Sequence, residues 1–84
     1  MLVGERVLIK DKDWIGIVAF VGTTHFAPGE WIGVALDDPL GKNNGSVQGK
    51  KYFSCAENHG IFIRQSQITS IETGAFNGLL RASS

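Results

Sequence analysis

Eighty-four residues suffice for one small domain, and a hydrophobic content of 43% describes a chain that folds around a core. Eight basic and eight acidic side chains leave no net charge, so total charge points to neither a nucleic acid nor a membrane surface as partner. One cysteine, Cys55, excludes an internal disulfide and fits a reducing compartment; with two histidines it is also too few for a closed zinc site. No apolar run is long enough to cross a membrane as a helix, and the start of the chain lacks a signal-peptide pattern, so a cytoplasmic chain is expected.

Taken in order, residues 5–10 read as a first strand with Val7 and Ile9 on one face, and Asp11, Lys12 and Asp13 as a polar turn. Residues 14–21 are the most apolar run. Their length and Val/Ile/aromatic content predict a strand, with Gly16 marking a bulge or bend and Trp14 in the core. Residues 22–30 hold glycine, proline, threonine and histidine and read as a loop, with Phe26 out of place in its middle. Residues 31–36 are a third strand, ended by Asp37, Asp38 and Pro39. Short strand pieces follow at Val47 and at Tyr52-Phe53, then a strand over 60–64, a tight turn over Gln65-Ser66-Gln67 and a last strand over 68–71. Residues 73–84 read as a loosely held tail. Many short strands with glycine at the corners indicate an all-β fold, a small antiparallel barrel or sandwich.

Gly41-Lys42-Asn43-Asn44-Gly45 is the most unusual stretch. It concentrates an ammonium and two amides between glycines, and Ser46, Gly49, Lys50, Lys51, Tyr52 and Phe53 follow. Over residues 41–55 the only charges are Lys42, Lys50 and Lys51, while the carboxylates collect at Glu30, Asp37, Asp38, Glu57 and Glu72. A neutral chain with one basic loop beside aromatics points to a short acidic ligand. Taken alone, the pentapeptide also reads as a solvated turn, and Phe26 as a cap on an open end of the barrel. The functional alternatives are a loop whose backbone N–H groups form a nest for a carboxylate, and a groove of Phe26, Trp31 and Phe62. Lys50 and Lys51 read as a solvated strand edge. Cys55 and His59 lack the third group that a nucleophile or metal site needs.

The pentapeptide, with Ser46-Val47, Gly49 and Tyr52-Phe53 after it, resembles the signature of the CAP-Gly domain, the glycine-rich module of cytoskeleton-associated proteins. Val21-Gly22, Phe26, Gly29, Trp31, Gly33-Val34 and His59-Gly60-Ile61-Phe62 match at the expected distances. The resemblance implies an SH3-like, glycine-rich barrel over residues 3–72, with no enzymatic activity, metal or cofactor. It also implies recognition of acidic aromatic C-termini: the Glu-Glu-Tyr end of α-tubulin on microtubules, and similar tails of end-binding proteins and cytoplasmic linker proteins. The residues it carries over are Phe26, Trp31 and Phe62 as the groove, Gly41, Lys42 and Asn43 as the gripping loop, and Arg64 and Gln67 at its edge. The family usually has Asp where this chain has Asn44. The competing expectation is a nucleic-acid-binding SH3-like barrel, with Lys42, Lys50 and Lys51 on phosphates and Phe26 or Trp31 stacking bases; zero net charge and little arginine speak against it.

Overall fold

The structure, a computed structural model, describes residues 1–71; the tail expected over 73–84 lies outside them. Among the described residues there are seven strands: β1 (Arg6–Ile9), β2 (Trp14–Thr23), β3 (Glu30–Leu36), β4 (Ser46–Val47), β5 (Lys50–Lys51), β6 (Gly60–Ile63) and β7 (Ile68–Ser70). A single 3₁₀ turn at Gln65–Gln67 joins the last two, where a tight turn was expected. Five strands form one antiparallel sheet in the order β6-β3-β2-β1-β7, and β4 and β5 make a separate hairpin. Among the described residues no helix is long and apolar enough to cross a membrane.

Alternation sorts the side chains. Val7 and Ile9 of β1, Val18 of β2, Ile32, Val34 and Leu36 of β3, Ile61 of β6 and Ile68 of β7 are buried in one cluster. The two edge strands β6 and β7 both reach that cluster, so the sheet must curl around it. The result is a small antiparallel barrel, one of the two forms that the pattern of short strands left open, and the SH3-like one that the resemblance implied.

The kink in β2 falls elsewhere than expected. Gly16 pairs in register with Leu36, and the irregularity lies between Val18 and Phe20, leaving Ala19 as the extra residue. Gly16 is a glycine for another reason: a Cβ there would come within 2.6 Å of the Ala35 carbonyl oxygen and 2.7 Å of a Val34 methyl. The bulge re-aims the side chains beyond it. Unbroken alternation would send Phe20 inward after Gly16 and Val18. Instead Phe20 pairs with Gly33, whose other neighbour across the sheet is Phe62, while Val21 packs against the aliphatic core. One extra residue thus puts an aromatic layer on the face opposite the aliphatic one.

The small hairpin also differs from expectation, which placed strand at Tyr52-Phe53. Gln48 (φ 52°) and Gly49 (φ 83°) are both left-handed, as a two-residue type I′ turn requires, so Val47 pairs with Lys50 and Ser46 with Lys51. Tyr52 and Phe53 fall beyond the ladder and donate their backbone N–H groups to the Gly45 carbonyl (2.9 and 3.3 Å). Phe53 is buried and packs against Gly33, where an added Cβ would be 2.5 Å from its ring. Gly33→Ala is therefore expected to lower stability by about 1–3 kcal/mol, as overpacking does, and to loosen the hairpin with it. Denaturant melts check the first effect, and amide exchange at Tyr52 and Phe53 the second.

Candidate peptide-binding cleft

The aromatic layer is one connected set. Phe62 has ring centroids of Phe26, Tyr52, Phe53 and Phe20 at 5.1, 5.3, 5.5 and 5.9 Å, mostly edge-to-face. Phe26 reaches it from the tip of the β2–β3 hairpin, because Trp31 lies 5.5 Å behind it and Tyr52 6.0 Å beside it. The loop over residues 24–29 is tied down at several points. The His25 backbone N–H donates to the Tyr52 hydroxyl (3.0 Å), which also meets the His25 ring nitrogen Nδ1. The Trp31 indole N–H donates to the Ala27 carbonyl (3.3 Å).

A cleft of about 430 Å³ opens beside this layer, lined by Phe26 and Phe62, by Lys42, Asn43 and Val47, by Ile61 and Ile63, by Gln67, and by Ile9, Asp11, Lys12 and Trp14. Of the residues expected at the site, Phe26, Lys42, Asn43, Phe62 and Gln67 line it. Trp31, Arg64 and Gly41 stand behind its walls. The Arg64 guanidinium stacks 3.7 Å from the Trp31 ring centre and donates to the carbonyls of Glu30 (3.0 Å) and Pro28 (2.9 Å). Through these bonds it clamps the Phe26 loop. Gly41 is needed because a Cβ would come within 2.5 Å of the Gly60 carbonyl oxygen.

The glycine loop does not form an open nest. All but one of its N–H groups are spent inside the protein: Gly41 donates to the Asn58 carbonyl (2.7 Å), Lys42 and Asn43 to that of Gly60 (2.8 and 3.1 Å), Gly45 to Asn43 Oδ1 (2.9 Å) and Ser46 to Asn44 Oδ1 (3.1 Å), while that of Asn44 has no acceptor among the described residues. These bonds stitch the loop to the start of β6, where Asn43 and Gly60 form a β-bridge. What remains for a ligand is the exposed Lys42 ammonium, the Asn44 backbone N–H and the Asn43 amide nitrogen, neither of the last two having an acceptor among the described residues.

Sequence reasoning missed a second source of donors. The Leu36 N–H donates to the His59 carbonyl (2.7 Å), so in the antiparallel ladder Val34/Ile61 and Ile32/Ile63 are the hydrogen-bonded pairs. Gly60 and Phe62 then turn their backbone groups away from β3. Those of Gly60 are taken by Lys42 and Asn43. Those of Phe62 have no partner among the described residues, so β6 presents one unpaired N–H and one unpaired C=O beside its own ring. No residue type announces this; it follows from register alone. Trp14 was missed too. It packs against the core as expected, but it is half-buried and also forms a cleft wall.

His59 Nδ1 is 2.8 Å from the Leu36 carbonyl. Burial, and then the Glu57 carboxylate, push the Cys55 thiol up, away from a reactive thiolate. Among the described residues no histidine, cysteine, aspartate or glutamate group could hold a metal ion. Lys50 and Lys51 form β5 and are exposed, with the Lys50 ammonium 5.7 Å from the Tyr52 ring centre.

The CAP-Gly domain family model matches residues 3–68. Dynactin subunit 1 of Xenopus laevis is 62% identical over 73 residues, which is 87% of this chain and 6% of that protein. The Drosophila melanogaster Restin homolog is 48% identical over 71 residues, 79% of this chain and 4% of that protein. The chain thus spans a small fraction of the length of these relatives. Among solved structures, the CAP-Gly domain of human Kinesin-like protein KIF13B superposes with a TM-score of 0.81 at 38% identity, covering 93% of this chain and 77% of that one. The Bik1 CAP-Gly domain, solved with an ETF peptide from Bim1, superposes with a TM-score of 0.70 at 33% identity, covering 77% of this chain and 78% of that one.

Two variants test the loop's internal bonds. Asn43→Ala removes the acceptor of the buried Gly45 N–H, so it should cost about 1–3 kcal/mol of stability as well as affinity, measurable in urea melts. Asn44 Nδ2 donates to Glu57 Oε2 at 3.0 Å; Asn44→Asp sets two carboxylates face to face there. Like charges favour protonation in the folded state, so the penalty is present at neutral pH and fades as pH falls through the carboxylate range. On an exposed pair it should stay below about 1 kcal/mol. A melting series against pH should show it, and Glu57→Gln in the same chain should abolish it.

Proposed function

The chain belongs to the CAP-Gly family, and on that footing we propose that it is a non-enzymatic module that clasps the free C-terminus of an acidic, aromatic-ended protein tail. The tails it suits are the Glu-Glu-Tyr end of α-tubulin and the ends of end-binding and cytoplasmic linker proteins, which would place it in the cytoplasm on the microtubule cytoskeleton. The observation that carries this reading is the cleft, where an aromatic wall, an unpaired strand edge, a free amide and an ammonium meet. The ligand's last ring packs against Phe26 and Phe62, its main chain meets the unpaired groups of Phe62 and the Asn43 amide, and its carboxylates meet Lys42. The peptide from Bim1 held by the related Bik1 domain supports the same use of the fold.

Magnitudes rank these contacts. Burial of one aromatic ring contributes roughly 2–3 kcal/mol, and an exposed ion pair about 0.2–1 kcal/mol. The ring therefore sets affinity, and the charges set steering and salt dependence. So small a footprint gives micromolar-class binding, strengthened in a longer protein by pairing of domains or by added basic segments.

Calorimetric titration with a peptide ending Glu-Glu-Tyr tests the reading. Binding should fall at least about tenfold when the last residue is deleted or amidated, and by a similar factor in Phe62→Ala. Lys42→Ala should cost less and flatten the salt dependence. Equal affinity for the free-acid, amidated and truncated peptides would overturn the proposal.

A further inference from the structure

The terminal ring and its carboxylates account for only one side of the cleft. The far side is built by the β1–β2 hairpin: Ile9, Asp11, Lys12 and Trp14, with Ile63 and Gln67 between the two ends. Trp14 is half-buried. Its indole N–H has no acceptor among the described residues, and the Lys12 ammonium lies 5.5 Å from its ring centre. An aromatic ring on a concave surface, with an unused donor and a cation at its rim, has the makeup of a binding anchor. Around the cleft stand two ammonium groups, Lys12 and Lys42, against the single carboxylate of Asp11.

We infer that Trp14 and Lys12 form a second subsite, which takes an apolar side chain, flanked by a carboxylate, from the same acidic tail upstream of its terminal aromatic residue. The inference rests on the proposed function and deepens it. Continuity supports it, since one cleft joins the Phe26–Phe62 wall to the Trp14 wall without a break. Charge supports it too: a tail acidic along its length meets a cation at each end. Its extended backbone leaves the Phe62 edge at one wall, and a side chain some residues back reaches the other. The apolar side chain covers the Trp14 ring, and the neighbouring carboxylate pairs with Lys12. The Trp14 site would then select among acidic tails that share the same last residues, a discrimination that the Phe26–Phe62 end cannot make.

The test uses the full chain and calorimetric titration. One probe is the acetylated tripeptide Glu-Glu-Tyr; the others are longer acidic peptides with the same ending and one leucine scanned through the upstream positions. At one leucine position affinity should rise by about three- to tenfold over the leucine-free peptide of equal length. In Trp14→Ala the ratio between those two peptides should fall to about one. Trp14 also packs on the core, so Lys12→Glu, at an exposed turn position, provides a second variant that spares the fold. It should weaken the longer peptides relative to the tripeptide. A flat leucine scan with normal tripeptide binding, or a gain that survives both variants, overturns the subsite alone. Absence of tripeptide binding overturns the proposed function, and the subsite with it.

Discussion

Phe53 is the part on which the rest depends. Its ring lies where a side chain at position 33 would be, and its backbone lies where one at position 45 would be, so glycine is required at both. This one close approach brings the segment after the small hairpin down onto β3 and locks the glycine loop against it, through the Tyr52 and Phe53 N–H groups on the Gly45 carbonyl. The left-handed backbone at Gly45 (φ +100°) is a second reason that no other residue serves there. Removing the ring would take a large buried apolar surface and release both segments at once.

From that anchor the site assembles in steps. The bulge at Ala19 sends Phe20 to the outer face, Phe20 and Phe53 flank Phe62, and Phe62 supports Phe26. Arg64 and Trp31 hold the Phe26 loop from behind. A groove built this way is set before a ligand arrives, and little side-chain entropy is left to lose on binding. The glycine loop contributes shape more than donors. Its Lys42 and Asn43 backbone takes up Gly60 at the start of β6, which leaves the next outward-turned residue of that edge, Phe62, unpaired among the described residues.

Asn44 fits the same hydrogen-bond economy. Its Oδ1 accepts from Ser46 as an aspartate oxygen would, while its nitrogen donates to Glu57, which an aspartate cannot do. Asn44 therefore closes the turn with one end of its amide and bonds Glu57 with the other, where a carboxylate would meet repulsion.

Much was legible in the sequence because it is written in local chemistry. Alternating apolar residues marked β1 and β3. Glycine and proline marked the corners, and the loop at residues 41–45 with aromatics at fixed distances marked the family. Phe26 stood out as an aromatic in a loop, but residue types alone left a solvated turn and a barrel cap open, and the resemblance was what tied Phe26, Phe62, Lys42 and Asn43 to one site. What only the tertiary structure decided depends on register and on distant segments meeting. The bulge sits at Ala19 rather than Gly16, because a close approach and a bulge demand the same residue type but different pairing. Arg64 became a clamp and most of the loop N–H groups internal bonds, since a donor's partner is chosen by whatever folds against it. The unpaired edge of Phe62 and the second wall at Trp14 exist only once hydrogen-bond parity and the curl of the sheet are fixed, and neither is a property of any one residue.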